Sequence, residues 1–181
     1  MAPDNAAIAE LVAALSTGPT ALANDAIKVL YELGERRPER VADHLDAFLA
    51  ALKSKNNRQV WGAMSALDAI ATLKADTLAA HLPEILAAAN KGSVIAKDKA
   101  VSILAKLVAA GQGDKALPPL LAMVRTAAVN QLPMYAEIAG PVIDAAHRSE
   151  FVGIVTARLA TVEQPPKRAR LEKLLRQVAR T

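Results

Sequence analysis

The side chains with chemistry to offer are few: three histidines, one tryptophan, two tyrosines and a scatter of carboxylates, with no cysteine. The lack of cysteine excludes disulfides, thiolate nucleophiles and Cys-ligated zinc. Two of the histidines stand in matching surroundings, His44-Leu45-Asp46 and His81-Leu82-Pro83, thirty-seven residues apart. If they occupy equivalent places on neighbouring helices, their backbones lie ~8–10 Å apart. That is a poor arrangement for a shared ion with bonds of ~2 Å, and no nearby third ligand is evident. His147, followed by Arg148, falls near an expected helix C-terminus, where a cation is favourable without any further role. There is no Gly-rich phosphate loop, no zinc spacing and no recognisable nucleophile–base pair. The expectation is a chain with no catalytic residues, no metal and no cofactor, more a binding protein than an enzyme.

The elements that position these residues follow from composition and punctuation. Ala and Leu are strong helix formers, aromatics are 3% of the chain, and no alternating Val/Ile/Thr run is present. An all-α fold is expected. Gly18-Pro19, Pro38, Ser54-Lys55-Asn56-Asn57, Asn90-Lys91-Gly92, Gly111-Gln112-Gly113 and Pro165-Pro166 mark turns. They bound helices near 4–16, 19–34, 38–53, 57–73, 76–90, 93–110, 114–127, 129–147, 149–161 and 165–180. Asp76 and Ser93 are candidate N-caps. Links of about 2–5 residues imply antiparallel neighbours. Pro141, after Gly140, should kink or break its helix, either opening a pocket or adjusting curvature.

The hydrophobic positions repeat at the same step as the histidines. Ile8, Leu45 and Leu82 form one column; Leu11, Phe48 and Ile85 another; Val12, Leu49 and Leu86 a third. On the following helices, Ala26, Ala63 and Ala100 align, as do Val29, Ala66 and Ile103, then Leu30, Leu67 and Leu104, then Leu33, Ile70 and Leu107. The step then lengthens, to Ala139, Val142, Ile143 and Ala146. A two-helix unit cannot bury its own apolar stripe, so stacked units must repeat it. This predicts a single domain over 1–181 made of five helix pairs, near 4–36, 38–73, 76–110, 114–147 and 149–180, the last a cap.

Leu82-Pro83-Glu84-Ile85-Leu86, Leu117-Pro118-Pro119-Leu120-Leu121 and Ala100-Val101-Ser102-Ile103-Leu104 resemble the motifs of the HEAT repeat family. The resemblance runs along nearly the whole chain, although the family's Asp-x-x-Val-Arg element is poorly kept. It implies a right-handed α-α superhelix with second helices lining the concave side, and no one activity. Some alkylpurine DNA glycosylases resemble HEAT solenoids, which makes nucleic-acid binding or DNA repair the alternative function. Some cofactor-attachment factors also contain HEAT-like repeats, usually of shorter period.

With Ala26, Leu30 and Leu33 turned inward, Asn24, Lys28, Tyr31 and Glu35 point away from the core. One step on are Trp61, Ser65, Asp68 and Thr72; then Asp98, Ser102, Ala105 and Ala109; then Glu137, Pro141, Asp144 and Arg148. In a solenoid these line the concave face, and their charges sum to mildly acidic. Tyr31 and Trp61 are either a partner hot spot or filler in the seam between units. The expected function is a non-catalytic scaffold that binds a protein or peptide through Asn24, Lys28, Tyr31, Trp61, Asp68, Asp98 and Glu137. The net charge is +4, and the basic excess lies in 165–181, where Lys167, Arg168, Arg170, Lys173, Arg176 and Arg180 face only Glu172. That segment could contact nucleic acid or form the polar outer side of a cap. No secretory leader and no ~18–20-residue apolar run is present, so a cytoplasmic protein is expected.

Overall fold

The computed structural model describes residues 4–179. Every regular element among them is helical: eleven α-helices and three short 3-10 turns, with no strand. The chain divides into two compact units, Met1–Ile103 and Leu104–Thr181.

The first unit starts at α1, Asn5–Thr17, where the Asp4 carboxylate accepts the Ala7 amide at 2.8 Å. Gly18 stops α1, and α2 runs Thr20–Arg36. Two 3-10 turns, Pro38–Arg40 and Ala42–His44, lead into α3, Leu45–Ala51. The helix expected over 38–53 is thus α-helical only at its end. Helix α4, Asn57–Ile70, is capped by Asn56, whose side chain accepts the Arg58 amide at 3.0 Å. The helix expected over 76–90 is two helices, α5 Ala75–Ala80 and α6 Leu82–Lys91. The division at His81 has a local cause. Pro83 has no N–H to donate to the Ala79 carbonyl, and its ring crowds that carbonyl. Asp76 lies in the first turn of α5 and does not cap it. Ser93 does cap α7, Val94–Ala109, its Oγ accepting the Ala96 amide at 3.4 Å.

The core of this unit is drawn largely from the repeated set, although Leu11, Val12 and Leu86 are only half-buried. Ile8, Leu45, Leu82, Phe48 and Ile85 are buried, and Ala26, Ala63 and Ala100 have no exposed surface. Leu30, Leu67, Ala66, Ile70 and Ile103 are equally buried. Val29 departs from its column at 40% exposed. Helix α2 packs on both α1 and α4, and α3 packs on α4. The α2–α4 approach is close enough that a Cβ on Gly62 would stand 2.8 Å from Ile27 Cγ1.

Gly111 closes α7 in the left-handed region, φ +89°. The Gln112 amide donates to the Leu107 carbonyl at 2.9 Å and the Gly111 amide to Val108 at 3.0 Å, the paired bonds of a Schellman cap. In the second unit α8 is Gly113–Thr126, with Pro118 and Pro119 inside it. They deprive Asp114 and Lys115, both exposed, of helical donors. Helix α9 spans Leu132–Ala139, α10 Arg148–Leu159 and α11 Pro165–Val178. Helix α9 ends where Gly140-Pro141 was expected to disturb it, passing into a 3-10 turn, Gly140–Val142. The helix expected over 129–147 is therefore shorter, and the lengthened repeat fails beyond Ala139: Val142 and Ile143 are half-buried and Ala146 is exposed. Phe151, Val155, Leu120, Leu132 and Leu171 form the core here, with α11 packed on α9 and α10.

Candidate functional site

The site on the first unit is built on the α2–α4 contact. Small or slim residues, Ala23, Ala26, Gly62 and Ala63, are buried there, so the two helices approach closely. One consequence is that Tyr31 on α2 and Trp61 on α4 meet. Their ring centroids are 5.6 Å apart and the rings are inclined at 54°. Tilted pairs at this separation stabilise by ~0.5–1.5 kcal/mol beyond their burial. Both side chains are half-buried, so neither is simple core filler and neither stands out in water. Burial, chiefly, raises the Tyr31 hydroxyl pKa; Glu32 and Glu35 push the same way, and Arg58 and Lys99 oppose them. A partner meeting this pair therefore meets charges of both signs at its edge.

Asp68 is not the groove carboxylate that its column implied. It is 7% exposed. Ser102 donates its hydroxyl to Oδ1 at 2.6 Å and Lys99 its ammonium to Oδ2 at 3.1 Å. Lys99 also lies 3.7 Å from Glu35 Oε1. The cause is the position of α4, on which Gln59, Val60 and every residue from Gly62 to Asp68 are buried. A helix enclosed on nearly all sides has no solvent-facing column, so Ser65 and Asp68 turn into packing instead. The buried carboxylate is compensated by a cation and a hydroxyl, as a charge out of water must be.

The other expected residues divide. Asn24 accepts the Asn56 amide group at 2.8 Å, tying α2 to the cap of α4. Lys28 is exposed and 3.8 Å from Glu32, one turn along α2. Asp98 is half-buried on α7, next to Lys99. Tyr31, Trp61, Lys99, Glu35 and Asp68 are thus linked by direct contact or shared charge. Lys99 was missed because it lies one position off a counted column, and Arg58 because it lies a turn before the first counted residue of its helix; the charge alternation Asp98-Lys99 was the available signal.

Glu137 lies in the second unit and is engaged there. Arg170 holds it with two bonds, Nε to Oε1 at 2.9 Å and Nη2 to Oε2 at 2.5 Å. That fork keeps the Glu137 carboxyl below the usual carboxylate range, with burial opposing and the Arg170 and Lys173 charges assisting. The basic helix α11 is committed elsewhere too. Lys167 reaches Asn130, and Arg168 pairs with Glu172 at 3.2 Å and reaches the Leu159 carbonyl. Arg180 falls outside the described residues. Asp144 accepts from the His147 ring and amide at 2.7 and 2.9 Å, which lowers its pKa. His81 is 3.4 Å from Glu84. Among the described residues no three His, Cys, Asp or Glu side chains are grouped to hold a metal, and no helix is long and apolar enough to cross a membrane.

Comparison of the sequence with protein-family models and with curated proteins returns no match.

Proposed function

We propose that this chain is a non-catalytic, HEAT-like scaffold that binds a protein or peptide on the face carrying Tyr31 and Trp61. The observation that supports it is the aromatic pair itself. Two of the chain's few large rings come from different helices, touch each other, and keep part of their surface in water. Tyr and Trp are enriched among residues that dominate binding energies, because they offer large rigid contact with a polar tip. Glu35, Arg58 and Lys99 around the pair supply a charged rim of the kind that sets register and orientation. The right-handed superhelical arrangement of five helix pairs is part of the same proposal. It draws on the aligned buried columns of the first unit, and on the HEAT-like motifs.

Nucleic-acid binding is the weaker reading. A phosphate-tracking stripe needs cations available to release counterions. On α11 Arg170, Arg168 and Lys167 are already bound to protein acceptors.

Selection of a displayed random-peptide library on the intact protein tests the scaffold reading. Enriched peptides should bind wild type and lose roughly tenfold or more on Trp61→Ala, about the 1.4 kcal/mol or more expected of a hot spot. Peptides that bind Trp61→Ala and wild type alike would place recognition elsewhere.

A further inference from the structure

A second feature of the first unit shares no residue with the aromatic face. A cleft of about 730 Å³ opens between the C-terminal end of α3, the start of α4 and the C-terminal end of α6. A smaller one of about 460 Å³ lies one repeat earlier, beside α1 and α3. The two are related by the repeat: Ala47, Ala50 and Ala51 in the smaller cleft are succeeded one step on by Glu84, Ala87 and Ala88 in the larger. Small residues on the outer helices leave the gap each time, so a cleft as such needs no function.

What differs is the chemistry of the walls. The smaller cleft carries one lysine, Lys53, and is otherwise apolar or neutral. The larger is lined by Lys53, Lys55 and Lys91 against a single acid, Glu84. Lys53 is 4.0 Å from Glu84, and Glu84 is also held by His81 at 3.4 Å. That carboxylate is thus shared between two neighbours, while Lys55 and Lys91 make no ion pair among the described residues. Asn57 and Ser93 add side-chain polar groups, and Leu52 and Val60 give a buried apolar floor. Gly92 shapes the wall: a Cβ there would stand 2.8 Å from the Ala88 carbonyl oxygen and 2.9 Å from Ala96 Cβ. The absence of a side chain lets the end of α6 close directly onto α7, which fixes Lys91 at the rim.

We propose that this cleft binds the phosphate group of a small phosphorylated molecule. The lysines supply the positive field, and the apolar floor takes a less polar remainder. Three lysines against one carboxylate around a concave surface with an apolar floor attract a multiply charged anion more strongly than the same charges spread on a convex face. The volume exceeds that of a lone phosphate and falls within the ~300–1,000 Å³ usual for small-ligand sites.

Titration of the isotope-labelled intact protein with inorganic pyrophosphate and with ADP, each at low salt, tests this. Saturable displacement of the amides of Asn57, Gly92 and Ser93 is expected, with the indole of Trp61 unmoved. Lys55→Glu and Lys91→Glu, both at exposed positions and so tolerable to the fold, should each weaken binding by about tenfold, 1.4 kcal/mol on the affinity scale. Tighter binding of ADP than of pyrophosphate identifies a nucleotide-like ligand; equal binding identifies the phosphate group alone, and either supports the site. Shifts that stay linear to about 10 mM, a range covering affinities far weaker than functional ones, or that are unchanged by both lysine reversals, would overturn it.

Discussion

At the scale of single residues, charge is managed by pairing. The buried Asp68 is held by Ser102 and Lys99, and the half-buried Glu137 by Arg170. The two pairs predict different behaviour. Asp68→Ala leaves the half-buried Ser102 hydroxyl without its acceptor and the half-buried Lys99 ammonium with only Glu35, at 3.7 Å. It should destabilise by about 1–3 kcal/mol in urea denaturation, and Asp68→Asn by less. The Glu137–Arg170 pair is more than a third exposed on both sides, so solvent screens it to about 0.2–1 kcal/mol. Its sign is defined. The folded Glu137 pKa lies below the unfolded one, so the contribution is present above the usual carboxylate range and fades as pH falls through the lowered value. A carboxyl-detected NMR titration should place Glu137 low, and Arg170→Ala should return it toward the usual range. An unchanged Glu137 in that variant would remove the guanidinium as the cause.

At the scale of elements, α2 and α4 fit closely. Gly62→Ala would place a methyl 2.8 Å from Ile27 Cγ1 and 3.1 Å from its Cγ2. Overpacking of this kind costs about 1–3 kcal/mol, of which the better helix propensity of Ala returns about 1. Ile27→Ala removes the obstructing carbons, so the double variant should be less destabilised than the two single changes added together. Strict additivity in thermal or urea melts would show that the helices part to make room. The same contact shows what could be read in advance. The Ala26, Ala63 and Ala100 column gave close helix approach, since small residues repeated in register have few other uses. The turn at Ser54-Lys55-Asn56-Asn57, the cap at Ser93 and the stop at Gly111 were legible because each depends on a short local signal, one hydrogen bond or one φ angle. The 3-10 entry to α3 and the break at His81 were not, because helical periodicity continues across them while the backbone bonds do not. Pro141 was read correctly as a disturbance, yet the columns were carried past it. A repeat counted by position alone is blind to the loss of the helix that gives position its meaning. Asp68 was misplaced for a tertiary reason: the column argument assumes one open face, and α4 has scarcely any.

At the scale of the whole molecule, the sequence separates a near-neutral body from a basic last segment. Much of that basicity is structural: Lys167, Arg168 and Arg170 each meet an acceptor within the second unit. The candidate features left with surface to offer, the Tyr31–Trp61 face and the lysine-lined cleft, both lie in the first unit. This division of labour belongs to the proposal that the chain is a scaffold, with repeats that build the body and positions off the repeat that carry recognition. Trp61 is the only tryptophan, so the protein has a single indole N–H resonance and a built-in reporter at the proposed site. The most direct test is to follow that resonance while a selected peptide is titrated into the labelled protein. A displacement that saturates with the calorimetric affinity is the predicted result. An indole that stays in place at saturation, while other amides move, would contradict the assignment of binding to this face.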